Sequence, residues 1–264
     1  MKKICIDTGH VPGANCSPCV PSYSEGTQMA ALGEMLAALL VEYYDDAEVF
    51  FTREDITDDV DVVKRGRAAR GADLFVSLHS NASNNTKCDN INFVYVLYPY
   101  DGINDSARIA GELADAAECA LYGHGVNMSP WRIDTRQGAN GDWYGVMRGA
   151  RQVGVPLYFI IEHGFHTNEA NALALLEPAT LADLALSETL AIGEVLILHR
   201  REFSPGDVNG NGKIDPQDYA MLKRYLLGTY ELTVAQKLRA DISGDGHLTA
   251  KDYAMIKRKV LGTL

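Results

Sequence analysis

The sequence predicts an α/β fold, a three-layer mixed or parallel sheet between helices, followed by a small all-α unit with two loops. Three observations predict it. Strand-like apolar runs alternate with amphipathic helical stretches, the strands are apolar on both faces, and the C-terminal region carries a duplicated loop and helix.

The elements follow in order. Lys3-Ile4-Cys5-Ile6-Asp7 is a short apolar run ended by Thr8-Gly9, a buried strand running into a loop. Residues 26–44 place Met29, Leu32, Met35, Leu36, Leu39 and Leu40 at three- and four-residue steps, the pattern of an amphipathic helix. Residues 47–52 read as a strand, 60–70 as a helix, and 73–78 as a third strand leading directly into His79. Residues 91–98 are β-branched and aromatic, 105–121 helical, 156–161 a continuous apolar run, and 169–199 one or two Ala/Leu-rich helices broken near Pro178. In open sheets of this kind ligands collect at the carboxyl ends of the strands. Residues 203–206 then break the alternation, which divides the chain into a large first unit at 1–200, a linker at 201–206 and a small second unit at 207–264.

Composition bounds what such a chain does. Its 264 residues, 47% hydrophobic with 24 Lys+Arg against 35 Asp+Glu, describe a globular protein and exclude disorder, collagen and membrane spans. The net charge of -11 is uneven: residues 1–206 hold 15 basic and 28 acidic side chains, or -13, and residues 207–264 hold 9 and 7, or +2. An acidic front argues against nucleic acid and anionic lipid as partners, because such binding needs a Lys/Arg surface. Met1-Lys2-Lys3 is not followed by the apolar stretch of a signal peptide. Five scattered cysteines, an odd number, read as thiols rather than a disulfide framework, and Cys16-Ser-Pro-Cys19 reads as an irregular loop.

The tail repeats itself. Asp218-Tyr219-Ala220-Met221-Leu222-Lys223-Arg224 returns 34 residues later as Asp252-Tyr253-Ala254-Met255-Ile256-Lys257-Arg258. Before the first copy, Asp207, Asn209, Asn211, Asp215 and Asp218 set oxygens at positions 1, 3, 5, 9 and 12 of a twelve-residue loop, with Gly212 at position 6 and the Lys213 carbonyl at position 7. Ca²⁺ takes six to eight oxygen ligands, and a glycine at position 6 permits the sharp turn. The second loop offers Asp241, Ser243, Asp245, Thr249 and Asp252 with His247 at position 7, and its hydroxyls make it the weaker site. Gly206 to Leu264 resembles the dockerin module, which implies two structural Ca²⁺ ions and a cohesin domain as partner. At loop positions 10 and 11 stand Pro216-Gln217 and Ala250-Lys251, so the two faces through which dockerins bind differ here.

In the front unit His10 lies just beyond one strand end, His79 at another, and Glu25 at the start of the first long helix. Two neutral imidazoles and one carboxylate leave an open position on Zn²⁺ for water, the arrangement of hydrolytic zinc sites. Glu162 follows the strand Leu157-Tyr158-Phe159-Ile160-Ile161, where an acidic residue is placed to act as base and proton carrier. His163 and His166 are expected to support or pack rather than bind substrate; His124 and His199 are given no role. Trp131 and Trp143 flank an Arg/Gly-rich stretch and are read first as packing residues, second as a glycan-stacking groove.

The ordered set Ile6-Asp7-Thr8-Gly9-His10, Glu25, Thr52-Arg53, Arg65, Ala72 to Ala82, Val146-Met147-Arg148 and Glu162 to Asn168 resembles the zinc-dependent N-acetylmuramoyl-L-alanine amidases over about residues 2–200. The resemblance implies one catalytic Zn²⁺ held by His10, Glu25 and His79, with Glu162 as the catalytic carboxylate. It implies cleavage of the amide between N-acetylmuramic acid and L-alanine in bacterial peptidoglycan. Val11-Pro12-Gly13 stands where the family commonly has glycines after its first histidine, so the rim of the site is expected to be reshaped. A zinc carboxypeptidase acting within the stem peptide, and an inactive wall-binding protein carried on a dockerin, are the alternatives. Action at the cell wall follows in either of two settings, secretion or release at lysis as a phage-type endolysin.

Overall fold

A computed structural model of the chain describes all residues except 84–86, 202–203, 245–246 and 264, and the side chain of Val234. It forms two compact units, Met1–His199 and Arg200–Leu264.

The first unit is built on a six-stranded sheet. Its strands are β1 (Lys2–Thr8), β2 (Ala47–Phe51), β3 (Leu74–Asn81), β4 (Tyr95–Leu97), β5 (Arg132–Asp134) and, after the small hairpin β6 (Gln137–Gly138) and β7 (Gly141–Asp142), β8 (Leu157–Phe165). The sheet order is β2-β1-β3-β8-β4-β5. All neighbours are parallel except β4 and β8. The helices are α1 (Glu25–Tyr43), α2 (Val62–Ala68), α3 (Ser106–Gly123), α4 (Gly145–Gln152), α5 (Glu169–Leu176) and α6 (Pro178–Leu196). On one face α2 and α4 bury Ala69, Val146, Met147 and Ala150 against Cys5, Phe75, Leu97, Tyr158 and Ile160. On the other, α1 and α3 pack on the sheet and α6 packs against both of them. With Ile4, Ile6, Leu74, Val76 and Leu78 fully enclosed, each large side chain contributes about 1.5–3 kcal/mol of burial, and that double covering explains the unbroken apolar strands.

Local signals set the element ends. Ser24 caps α1 by accepting a hydrogen bond from the Thr27 amide, which makes Glu25 the first helical residue. The break near Pro178 is real: the proline opens α6 at a position where its missing N–H costs nothing. The expected strand at 91–98 is shorter, because Asn92 turns its side chain into the fold and accepts from the Phe165 amide (3.0 Å). Strand β5, the β6–β7 hairpin and α4 go beyond the sequence expectation, being too short or too glycine-rich to show a period.

The cysteine reading needs correction. Cys19 and Cys88 are joined by a disulfide across 69 residues of sequence, while Cys5, Cys16 and Cys119 are free. No spacing motif marks a pair so far apart; the fold brings together the loops that follow β1 and β3.

The second unit contains α7 (Pro216–Leu226), α8 (Val234–Ala240) and α9 (Ala250–Val260), with α8 an addition to the two expected helices. Val208, Leu222, Leu232, Ala240 and Ile256 form its core. The repeat is visible as near-symmetry: α7 and α9 each open with a capping box, Asp215/Asp218 and Thr249/Asp252, and the equivalent rings of Tyr219 and Tyr253 meet at 5.3 Å. Among the described residues no helix is long and apolar enough to cross a membrane.

A cross-link closing so long a loop removes much unfolded-state entropy. Replacing Cys19 and Cys88 together by serine should lower the stability of the first unit by about 4 kcal/mol in the chain-entropy account. Urea melts of the two proteins, with and without reductant, check this; the serine variant should be insensitive to the reductant.

Candidate functional site

The site lies at the carboxyl ends of β1, β3 and β8. His10 stands two residues beyond β1, in a turn that passes so close to β3 that a Cβ on Gly9 would lie 2.7 Å from His79 Cε1 and 2.9 Å from the Leu78 carbonyl. Only glycine fits there. His79 lies near the end of β3, and the Ser24 cap delivers Glu25 between the two histidines.

One ligand atom from each of His10, Glu25 and His79 falls within 4.8 Å of the others. Glu25 is 1% exposed. Its Oε1 meets His79 Nδ1 at 2.8 Å and accepts from the Ser80 amide at 3.1 Å, while Oε2 lies 3.5 Å from His10 Nε2 and accepts from Asn15 Nδ2. Asn15 reaches it from a left-handed backbone (φ 55°), a conformation that asparagine tolerates. Burial alone would raise the Glu25 pKa, yet the His79 bond and the nearby imidazoles hold it below its ordinary value. Burial likewise opposes a charge on His79, but Glu25 outweighs it and pushes the imidazole up to about 9. His10 is held below its ordinary value by burial, and so stays neutral.

A network beneath fixes the two histidines. His79 Nε2 meets Ser77 Oγ at 3.1 Å, and that hydroxyl donates to Asp7 at 2.7 Å. Thr52 (2.6 Å) and Arg65 (3.2 Å) complete the bonds to the buried Asp7 carboxylate. The other arm of Arg65 donates to the Gly9 carbonyl, and Arg53 donates to the carbonyls of Thr8, Gly9 and His10, so two buried guanidinium groups grip the turn that carries His10. Such support fixes ring orientation and tautomer in metal sites.

Glu162 is the register partner of His79 across the β3/β8 ladder, which puts both side chains on one face. Its Oε2 is buried and lacks a hydrogen-bond partner. Burial pushes its carboxyl up to about 7, with the charge of His79 pulling it down and that of Glu25 adding to the rise. The next residue, His163, points to the opposite face and is fully buried: Nδ1 meets the His79 carbonyl at 2.8 Å and Nε2 meets Glu188 of α6 at 2.5 Å. His166 is also enclosed, stacked on Tyr23 and bonded to Ser80 (3.0 Å). Both therefore support the site from within the fold. His124 pairs with Asp183 at 2.8 Å, away from the cluster. Trp131 lies against Gly111 of α3, whereas Trp143 is half exposed under Arg136. Sequence reading missed Glu188 and Asn15; a glutamate in an Ala/Leu-rich helix marked the first, and nothing marked the second.

In the second unit the first loop is already curled around its oxygens. Asp207 accepts from the amides of Asn211 (3.1 Å) and Gly212 (2.7 Å), Asn209 from Asn211, and Asn211 from Lys213. Asp218 closes the loop by accepting from Asn209 (2.9 Å) and Asp215 (2.8 Å). Gly212 has φ +84°, as its place in the turn requires. In the second loop Asp252 accepts equivalently from Ser243 (3.1 Å) and Thr249 (2.9 Å), and Asp241 from Gly244 (2.8 Å). Asp245 lies outside the described residues.

Comparison with known proteins adds the family. Residues 4–194 match the N-acetylmuramoyl-L-alanine amidase family model. The chain belongs to that family. Residues 205–261 of this amidase match the dockerin type I domain. In fold it is similar to the catalytic domain of CwlV, an N-acetylmuramoyl-L-alanine amidase from Bacillus (Paenibacillus) polymyxa var. colistinus: TM-score 0.60, 21% identity, 75% of this chain and 100% of that one. It is similar also to the amidase AmiC2 of Nostoc punctiforme (TM-score 0.58, 18% identity, 74% and 97%). A third likeness is to the amidase of Clostridium difficile 630 (TM-score 0.55, 21% identity, 74% and 97%). Among curated proteins none matches.

The His163–Glu188 pair generates a prediction for this amidase. Removing one partner of a buried pair strands the other, so Glu188→Ala should cost about 3–5 kcal/mol. Glu188 holds the His163 pKa above its ordinary 6.5 against burial, so the stability it adds is fully present below pH 6.5 and declines as pH rises through the folded pKa. The difference in Tm between wild type and Glu188→Gln, both metal-free, should therefore shrink from about pH 6 to about pH 9.

Proposed function

We propose that this amidase hydrolyses the bond between N-acetylmuramic acid and the L-alanine of the peptidoglycan stem peptide, with Zn²⁺ on His10, Glu25 and His79. The observation that carries the reading is the orphaned Glu162 carboxylate beside His79 in the ladder, next to a buried Glu25 set between two imidazoles. The donor set fits the ion. Burial opposes a proton on His79, and Glu25 is the largest of the carboxylate influences that nevertheless push it up to about 9; a cation that displaces this proton satisfies the same carboxylate. Two nitrogens and one oxygen also match the ligand types of hydrolytic zinc, with the half-exposed His10 marking the open side.

When bound, the ion supplies a Lewis acid that polarises the scissile carbonyl and acidifies water. The protein's own contribution is proton transfer. Glu162 takes a proton from the attacking water on a carboxylate oxygen and returns it to the departing nitrogen, so the muramoyl carbonyl gains the oxygen as L-alanine leaves with a free amino terminus. A carboxyl near pH 7 suits both halves of that transfer, since base and acid forms are both populated close to neutrality. Glu25 and the Asp7 network leave the histidines no freedom to turn away.

The dockerin unit is assigned to attachment through a cohesin domain, its loops ordered by Ca²⁺. What supports this is the set of oxygens at loop positions 1, 3, 5, 9 and 12, with the buried Asp207 and Asp218 carboxylates held by backbone amides at the two ends of the loop. Exposed Leu227 and Leu261, equivalent in the repeat, give the unit two similar apolar contacts at the ends of α7 and α9. The enzyme is assigned to work outside the cytoplasm, and the Cys19–Cys88 disulfide favours export over synthesis as a cytoplasmic lysin.

Digestion of purified peptidoglycan should release new L-alanine amino termini and intact stem peptides, lose this activity with a chelator and regain it with Zn²⁺. Glu162→Gln should keep the metal and lose about 10²–10⁴ in kcat; undiminished hydrolysis by that variant would refute the assignment of Glu162. Release of a terminal residue instead of the stem would make the enzyme a carboxypeptidase. Separately, Ca²⁺ at a hundredfold over its Kd should stabilise the dockerin unit of the full chain by about 2.7 kcal/mol per filled loop, and Mg²⁺ at equal concentration should not.

A further inference from the structure

Glu162 belongs to a row that runs on across the sheet. On one side it faces His79 of β3; on the other it is the register partner of Tyr95 in β4, and Tyr95 is the partner of Arg132 in β5. Register partners project from the same face, so His79, Glu162, Tyr95 and Arg132 form one line leading from the metal cluster to the sheet edge. Arg132 is exposed, and its guanidinium lies 4.1 Å from the centre of the Phe93 ring. Phe93 is itself wedged between Tyr95 and Phe165, with ring centres at 6.0 and 4.7 Å. A second arginine repeats the arrangement: Arg136 lies 4.3 Å from the centre of the Trp143 ring, on the β6–β7 hairpin, and its charge acts on the Tyr95 phenol. That hairpin is anchored by Arg148 on the Asp142 carbonyl (3.0 Å) and by Asp142 on the Tyr100 amide (2.8 Å).

Neither guanidinium has a carboxylate partner among the described residues. The acids nearest them have other partners: Asp134 accepts from the Tyr95 hydroxyl (3.2 Å) and the Thr135 amide (2.7 Å), Glu118 from the Trp131 amide (2.6 Å), and Asp142 from the Tyr158 hydroxyl (3.1 Å). The edge thus presents two exposed guanidinium groups inside a unit whose formal charge is -13. We propose that Arg132 and Arg136 form a carboxylate-binding subsite for the stem peptide of the substrate, on the β4–β5 side of Glu162. It deepens the amidase reading and rests on it.

Distance and chemistry choose the occupant. Two strand spacings of about 4.8 Å separate β8 from β5, so the subsite begins about 10 Å from Glu162. An extended peptide covers that span in about three residues. The peptide side of the scissile amide carries free carboxylates, whereas the glycan side is neutral once its lactyl carboxyl is in the amide. A sugar would need an open aromatic face, and the guanidinium groups already cover one face each of Phe93 and Trp143. A guanidinium centred over a ring still has N–H groups for a bidentate bond to a carboxylate.

The test uses an N-acetylmuramoyl-L-alanyl peptide with a free carboxylate on the residue after L-alanine, and the same compound as its carboxamide. Wild type should favour the carboxylate by about ten- to a hundred-fold in kcat/KM. The double variant Arg132→Gln, Arg136→Gln should lose that preference, through KM more than kcat, while turnover of the carboxamide stays within about threefold. Arg132→Lys should restore part of the preference, a point charge replacing a fork. Equal losses on both substrates, or no preference in wild type, would overturn the subsite. Calorimetry of the two free L-alanyl peptides on Glu162→Gln separates the claims. Arginine-dependent discrimination in binding, with no amide cleavage by wild type, would sink the amidase reading and keep the subsite; cleavage without discrimination would do the reverse. A preference for phosphodiester wall polymer over peptide would also overturn it.

Discussion

Everything at the candidate active site depends on one buried carboxylate. Glu25 opens α1, where the helix N-terminus favours negative charge, and it is 1% exposed. An uncompensated charge there would cost several kcal/mol. The fold compensates it from every side: His79 and the Ser80 amide on β3, Asn15 from the loop before α1, and His10 from the turn after β1. Because these partners come from separate elements, the carboxylate registers α1 against the sheet as well as holding the imidazoles together.

Asp7 has the matching role in the layer beneath. Thr52 of the segment after β2, Arg65 of α2 and Ser77 of β3 converge on it, so β1 is tied to three neighbours by side chains as well as by its ladders. Arg65 and Arg53 then carry that rigidity to the carbonyls of the His10 turn. Each guanidinium keeps a buried Nε without a partner, so their positions satisfy the backbone of the turn at some expense to themselves. The disulfide between Cys19 and Cys88 adds a covalent tie between the loops leaving β1 and β3.

What was legible in sequence follows from the range of the physics involved. Helix α1, strand β1 and the break at Pro178 are set by period, caps and proline chemistry within a few residues and fall close to expectation, whereas β3 and β8 run past their expected ends to Asn81 and Phe165, because ladder pairing carries them through the polar residues His79 and Glu162. His10, Glu25, His79 and Glu162 were legible through motif order and the elements that carry them, although Glu162 lies inside β8 and not beyond its end, and the fold brings the first three within 4.8 Å. Contacts between distant segments were not. Nothing near Cys19 points to Cys88, nothing near His163 points to Glu188, and Arg132 gains meaning only from strand register with Tyr95 and Glu162. Strand β5 and the β6–β7 hairpin are two or three residues each, too short for alternation to show.

The two acids at the centre show how one fold gives like groups unlike work. Glu25 and Glu162 both flank His79, and burial raises the pKa of both. Glu25 has donors on both oxygens, and they reverse the effect, fixing it as an anion. Glu162 has a buried oxygen with no donor, and the negative charge of Glu25 adds to burial, so its carboxyl rises to about 7. The same neighbour thus makes one carboxylate a permanent ligand-type charge and leaves the other able to gain and lose a proton near neutral pH. Exchanging the roles would need the Ser80 amide and Asn15 on the other side of His79, on β8, where the sheet has already committed its amides to the β3 and β4 ladders. The division of labour therefore follows from where donors are left free: the end of β3 and the loop before α1 supply them to Glu25, and none reaches the buried Glu162 oxygen among the described residues.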